Sequence, residues 1–113
     1  MKHDEIWEID LNPTIGAEIK KKRPAVIIND DAIGVLPLRV IVPITKWKDK
    51  FNNAVWMVRI EPDNENNLLK TSAIDTFQIR SISTARFEKK IGSVSRSIIS
   101  EIKTAVKAVI DTD

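Results

Sequence analysis

Helical periodicity is confined to the last stretch of this chain, and everything before it is written in short β-branched or alternating runs. Ile98, Ile99, Ile102, Ala105, Val106, Val109 and Ile110 recur at the spacing of one helix face, and Ser95 stands where an N-cap belongs. A C-terminal amphipathic helix of about four turns is therefore expected. Its apolar face should cover an open end or face of the sheet. Upstream, many short strands without strand–helix alternation point to a small, strongly bent antiparallel sheet or barrel.

The strands can be placed one by one. Ile6 to Leu11 alternates, with Trp7, Ile9 and Leu11 on one side and Glu8 and Asp10 on the other, which predicts a half-buried strand. Asn12-Pro13-Thr14-Ile15-Gly16 supplies turn chemistry, and a loop carrying Glu18 and three lysines follows. Pro24 to Asn29 is an apolar run expected to be buried on both faces, with Pro24 as its first residue because proline cannot donate to a ladder. A second dense run, Leu38 to Thr45, carries Pro43 near its end, which predicts an edge or bulge that turns Thr45 outward. Ala54 to Ile60 alternates again. Leu68 to Ile82 holds one or two strands, and Phe87 to Val94 a last short one with Gly92 as a bend.

Composition bounds the function. A chain of 113 residues is expected to be one domain over 1–113 with one core. A formal net charge of +2 does not announce a polyanionic partner, so that case rests on where the cations cluster: Lys20 to Arg23, and Lys46, Lys48 and Lys50. Cysteine is absent and the one histidine is His3, near a terminus, so thiolate or Ser-His chemistry and metal sites lack their parts. The three glycines are too widely separated for a phosphate loop or a dinucleotide fingerprint. No cofactor, no metal and no membrane partner are expected. The start of the chain leads into no apolar signal region, and the simplest location is the cytoplasm.

Two stretches carry chemistry. Pro24 biases Arg23 toward extended geometry, which would fix its guanidinium at a strand mouth as a planar fork for a phosphate. Lys20, Lys21 and Lys22 either add a positive field there or form a solvated loop. Lys46-Trp47-Lys48-Asp49-Lys50-Phe51 interleaves cations with aromatics, as a platform for unpaired bases does, but the same rings could tuck the loop onto the core. The carboxylates of Glu18 and Asp75 are either bases or partners of neighbouring cations.

These residues together resemble the MazF/PemK family of toxin endoribonucleases. Glu5-Ile6-Trp7, Asp10-Leu11-Asn12-Pro13-Thr14, Gly16-Ala17-Glu18, Arg23-Pro24-Ala25-Val26, Pro43-Ile44-Thr45 and Gln78-Ile79-Arg80-Ser81-Ile82 fall in family order along nearly the whole chain. The resemblance implies an SH3-like barrel of the PemK/CcdB type, mainly β with a C-terminal helix. It implies a homodimer, held in check by a small acidic MazE-like antitoxin. It also implies sequence-specific, metal-independent cleavage of single-stranded mRNA, in which a ribose 2′-hydroxyl attacks the adjacent phosphate and leaves 2′,3′-cyclic phosphate and 5′-hydroxyl ends. Arg23 and Thr45 would be the catalytic pair. Glu18 and the strand carrying Gln78 and Arg80 would line the RNA groove, joined by Lys20, Lys21, Lys22, Lys46, Trp47 and Lys48. Three places depart from the pattern: Asp4-Glu5 stands where Gly-Asp usually precedes the first strand, Ala17 where some members have histidine, and Phe77 where some have an acid. Asp75, two residues upstream on the same expected strand face, could supply a carboxylate from a shifted position. The runner-up reading is a non-catalytic CcdB-like barrel that poisons a protein target such as gyrase.

Overall fold

The computed structural model describes residues 1–110. Seven strands, β1 (Glu5–Asp10), β2 (Lys22–Ile27), β3 (Leu38–Lys46), β4 (Met57–Ile60), β5 (Ser72–Asp75), β6 (Arg80–Ser83) and β7 (Phe87–Ser93), precede a single α-helix, α1 (Arg96–Ile110). All pair antiparallel, in the order β4-β5-β3-β2-β1-β7 with β6 on β3, so the mainly β architecture closed by a helix is the one expected. α1 starts as its sequence predicts, with the Ser95 hydroxyl accepting the Ile98 N–H at 3.2 Å. It buries Ile99, Ile102 and Ala105. No described helix is long and apolar enough to cross a membrane.

The bend of the sheet is set in β3. Its residues meet β6 over Leu38–Ile41, β2 over Ile41–Pro43 and β5 over Ile44–Lys46. Pro43 has no N–H to place in a ladder, and it falls where the strand changes partners rather than at a sheet edge. The handover divides the interior in two. One core gathers Ile6, Val26, Val42, Ile44, Ile74 and Ile102 under α1, and the other gathers Ile9, Leu11, Ala25, Ile27, Ile41 and Ile82. β1 serves both: Trp7, Ile9 and Leu11 share one core as the alternation predicts, while Ile6, on the other face, is fully buried too. Register shifts against β7 accompany this double burial. Gly92 lies opposite Ile6 as the bend foreseen in β7, because a Cβ there would run into the backbone of Glu65 and Asn66.

Three boundaries differ from the sequence reading. β2 begins at Lys22, so Pro24 is its third residue; it pairs with Glu8, but the ladder toward β3 starts only at Ala25, and no bond on that side is interrupted. β4 begins at Met57, because the carbonyl of Trp56 is taken by the N–H and hydroxyl of Thr76, at 3.1 and 2.6 Å. Between β5 and β6 the chain makes a 3-10 turn, Thr76–Gln78, capped by Asp75 accepting the Phe77 N–H at 3.1 Å. Phe77 and Gln78 therefore lie on a turn and not on a strand, and Asp75 shares no strand face with Phe77.

One carboxylate ties the N-terminus to the sheet. Burial of Glu5 pushes its pKa up, but hydrogen bonds from the Trp7 indole, the Lys2 N–H, Lys90 and the amino terminus outweigh it and hold the pKa at about 2, below the ordinary 4.5. A lowered folded-state pKa gives stability that is present above pH 4.5 and is lost as pH falls through about 2. Glu5→Gln should therefore flatten the acid limb of a denaturation-against-pH series between those values, and cost about 1–3 kcal/mol near neutrality. An acid limb unchanged in the variant would contradict this.

Candidate functional site

Directly paired residues of antiparallel strands project to the same face. The pairs Ile9–Arg23 and Ala25–Pro43 thus put Arg23 on the face of the second core. Continuing the β2–β3 register two residues past Ala25–Pro43 sets Arg23 across from Thr45, and the ladder stops short of them. The two strand ends are left apart with a guanidinium on one and a hydroxyl on the other. Arg23 is exposed and Thr45 half-buried. The Arg23 Nε donates to the Lys20 carbonyl at 3.3 Å, which aims the fork, and among the described residues no carboxylate forms an ion pair with it. A free, aimed guanidinium beside a hydroxyl can bind a phosphate through charge-assisted hydrogen bonds.

The loop before β2 forms the wall of this site. Its base is zipped by Leu11 N–H to the Lys21 carbonyl at 3.0 Å, by Lys21 N–H to Asn12 Oδ1 at 3.2 Å, and by Arg86 donating to the carbonyls of Asp10 and Asn12. Inside it, Glu18 Oε1 accepts the Ile15 N–H at 2.6 Å. Gln78 then fastens the loop to the 3-10 turn: its Oε1 accepts the Ile19 N–H at 2.7 Å, and its Nε2 donates to Asp75 Oδ2 at 2.9 Å. Asp75 is 5% exposed and both its oxygens accept hydrogen bonds, one orienting Gln78 and the other capping the turn. A concavity of about 360 Å³ results, lined by Glu18, Ile19, Pro43, Phe77, Gln78 and Arg80 among others. Arg23 and Thr45 line a different concavity, of about 610 Å³, together with Glu8, Pro24, Ile44 and Lys46.

The structure thus brings Glu18, Gln78 and Arg80 together in one concavity and Arg23, Thr45 and Lys46 in another, and disperses other sequence candidates. Lys22 projects to the opposite face from Arg23 and pairs with Glu88 at 3.0 Å; that hydrogen bond raises its pKa. Lys20 and Lys21 are exposed on the loop, and Lys46 and Lys48 flank Trp47. Trp47 itself is half-buried, with Phe51 edge-on at 5.7 Å and the Arg59 guanidinium over its ring at 5.1 Å. It belongs to neither core cluster and lines a concavity of about 450 Å³ with Phe51, Asn52, Met57 and Arg59. The aromatics that sequence reasoning passed over are Trp56 and Phe77, edge-to-face at 5.9 Å and 36% and 64% exposed. Their exposure depends on the Thr76–Gln78 turn.

Comparison with known proteins gives the class to which a chain with this topology belongs. Residues 2–110 match the family described as PemK-like, MazF-like toxin of type II toxin-antitoxin system. The chain is 30% identical over 118 aligned positions to "Endoribonuclease MazF9" of Mycobacterium tuberculosis, covering 98% of this chain and 97% of that one. It is 28% identical to "Endoribonuclease PemK" of Escherichia coli, covering 97% and 82%. Among solved structures, MazF from Deinococcus radiodurans superposes with a TM-score of 0.80 at 16% identity, over 97% of this chain and 96% of that one. An endoribonuclease in complex with its cognate antitoxin, from a mycobacterial species, gives 0.78 at 15%, over 100% and 97%. The chain belongs to the PemK-like, MazF-like toxins of type II toxin-antitoxin systems. The relatives favour the nuclease reading over the target-poisoning barrel.

Proposed function

We propose that this toxin is an endoribonuclease that cuts single-stranded mRNA at a recurrent short sequence, in the cytoplasm, as a homodimer controlled by a small acidic antitoxin. The observation that carries the chemistry is the meeting of Arg23 and Thr45 at the parted ends of β2 and β3. Cleavage proceeds by attack of a ribose 2′-hydroxyl on the adjacent phosphorus: the new O–P bond closes a 2′,3′-cyclic phosphate as the P–O bond to the 5′-oxygen breaks. The 2′-hydroxyl gives up its proton to solvent as it attacks, and the 5′-oxygen takes one from solvent and leaves as a hydroxyl. Negative charge grows on the phosphoryl oxygens in the transition state, where the Arg23 guanidinium, fixed through Lys20, stabilises it and Thr45 donates a hydrogen bond. Gln78 and Asp75 position the loop that bears Glu18, so the phosphate is held in line. No step calls for a metal, because the substrate carries its own nucleophile and Arg23 supplies the positive charge.

Purified toxin incubated with a long RNA in EDTA should leave single-stranded cuts at one recurring motif, with cyclic-phosphate ends. RNA left intact, or cut only when a divalent metal is restored, would overturn the reading.

Base recognition falls to the exposed Phe77 and Trp56, which stand beside the concavity holding Gln78 and Arg80. Phe77→Ala should weaken RNA binding by about 1–3 kcal/mol with little change in melting temperature, as loss of one stacked base does. Trp47→Ala should do the reverse and lower the melting temperature. Equal RNA affinity in wild type and Phe77→Ala would remove Phe77 from the binding surface.

A further inference from the structure

β3 loses one of its two neighbours just before Thr45. The ladder with β2 covers Ile41–Pro43 and stops, so Ile44, Thr45 and Lys46 are held from the β5 side alone, opposite Ile74, Ala73 and Ser72. β5 is only four residues long and leans in turn on β4, an edge strand of the same length. Two short strands are a weak base for a hydroxyl that must meet a phosphoryl oxygen in one geometry.

Beyond Thr45 these three strands are tied together on one face. Thr45, Ala73 and Arg59 pair in a row across β3, β5 and β4, so their side chains project to the same side. Two residues further on, the continued register sets Trp47, Thr71 and Glu61 in a second row on that side, and the Trp47 N–H donates to the Thr71 carbonyl at 3.2 Å. The Thr71 hydroxyl donates to Glu61 Oε2 at 2.7 Å, and the Arg59 Nε donates to Glu61 Oε1 at 2.8 Å. The Arg59 guanidinium then lies over the Trp47 ring at 5.1 Å and closes the circuit. Ala73, fully buried between Thr45 and Arg59, is small enough for the guanidinium to cross above it. The Thr71 hydroxyl, and after it Arg59, holds the Glu61 carboxyl below its ordinary pKa.

Stability does not account for this arrangement. The Arg59 and Glu61 side chains are 54% and 60% exposed, where an ion pair adds little to folding. Nor do Arg59, Glu61 and Thr71 line either of the concavities that hold Arg23 and Gln78, so they reach the reaction only through the strand that carries Thr45. We propose that Thr71, Glu61 and Arg59 are positioning residues, whose closed circuit on Trp47 locks the one-sided end of β3 and aims the Thr45 hydroxyl at the reacting phosphate. The inference rests on the endoribonuclease reading above, in which Thr45 donates to that phosphate. Opening the circuit frees the end of β3, and a displacement of about 1 Å in a reacting group costs up to roughly a hundredfold in rate.

The test measures single-turnover cleavage of RNA and, separately, affinity for the same RNA made uncleavable by deoxyribose at the scissile position. Thr71→Val keeps the size and removes the hydroxyl; it should slow cleavage roughly tenfold or more while affinity and melting temperature stay near wild type. Thr71→Ser restores the hydroxyl and should recover most of the rate. Arg59→Gln should behave as Thr71→Val does. In a Thr45→Val background, already slowed, Thr71→Val should cost nothing further, because no hydroxyl is left to aim, whereas a general loosening of the fold would cost the same factor in both backgrounds. If Thr71→Val does not fold, Glu61→Gln replaces it in the same pair of backgrounds. Wild-type rates in the folded variants would overturn the proposal, and so would an equal loss in both backgrounds. A fall in affinity equal to the fall in rate in Arg59→Gln would also overturn it, by making Arg59 an RNA contact. Wild type that leaves RNA whole would remove the nuclease reading and the positioning role with it; wild type that cuts, beside variants that cut as fast, would remove the positioning role alone.

Discussion

Arg23→Ala should lower the rate of RNA cleavage by roughly 10²–10³ or more, the usual loss for one preorganised donor aimed at a developing oxyanion. RNA binding should weaken far less, because the remaining cations still meet the backbone and the guanidinium acts chiefly on charge that appears in the transition state. The side chain is exposed and belongs to neither core, so the loss cannot be ascribed to unfolding. Arg23→Lys tests the geometry: a point charge without the planar fork should recover only part of the rate. Single-turnover rates with saturating toxin separate the two effects. A fall in affinity equal to the fall in rate would make Arg23 a binding residue and no more.

The extended placement of Arg23 was legible in the chain. Proline after arginine at the mouth of an apolar run says where the guanidinium will be held, and that information is local. The helix was equally legible, since its period and its Ser95 cap are written within one segment. The Thr76–Gln78 turn was not. Leu68 to Ile82 reads as one or two strands with no break marked in the residues, and the break comes from the capping of the Phe77 N–H by Asp75 together with the grip of Thr76 on the Trp56 carbonyl. The same gap hid the task of Gln78, whose partner Ile19 lies 59 residues away. Asp75 presented itself as a spare base; the fold uses both of its oxygens to hold that turn and that glutamine. Lys70, Lys89 and Lys90 escaped notice for another reason. Each reads as an ordinary solvated charge, and only the pairing of β7 with β1, with Asn67 tied to the Ile91 carbonyl, collects them around the concavity of Arg23 and Thr45.

The largest effect expected involves no change to the protein. If the scissile bond is broken by its own neighbouring 2′-hydroxyl, replacing that one ribose by deoxyribose removes the nucleophile and should abolish cleavage at that bond. Binding should be little changed, because one hydroxyl among many backbone contacts is lost. A single-stranded oligonucleotide bearing this one substitution, incubated with the toxin in EDTA beside its all-ribose twin, is the most direct measurement of the central claim. The account predicts that the twin is cut to a 2′,3′-cyclic phosphate and a 5′-hydroxyl while the substituted strand binds and stays whole. Cleavage of the substituted strand at the same bond would contradict it.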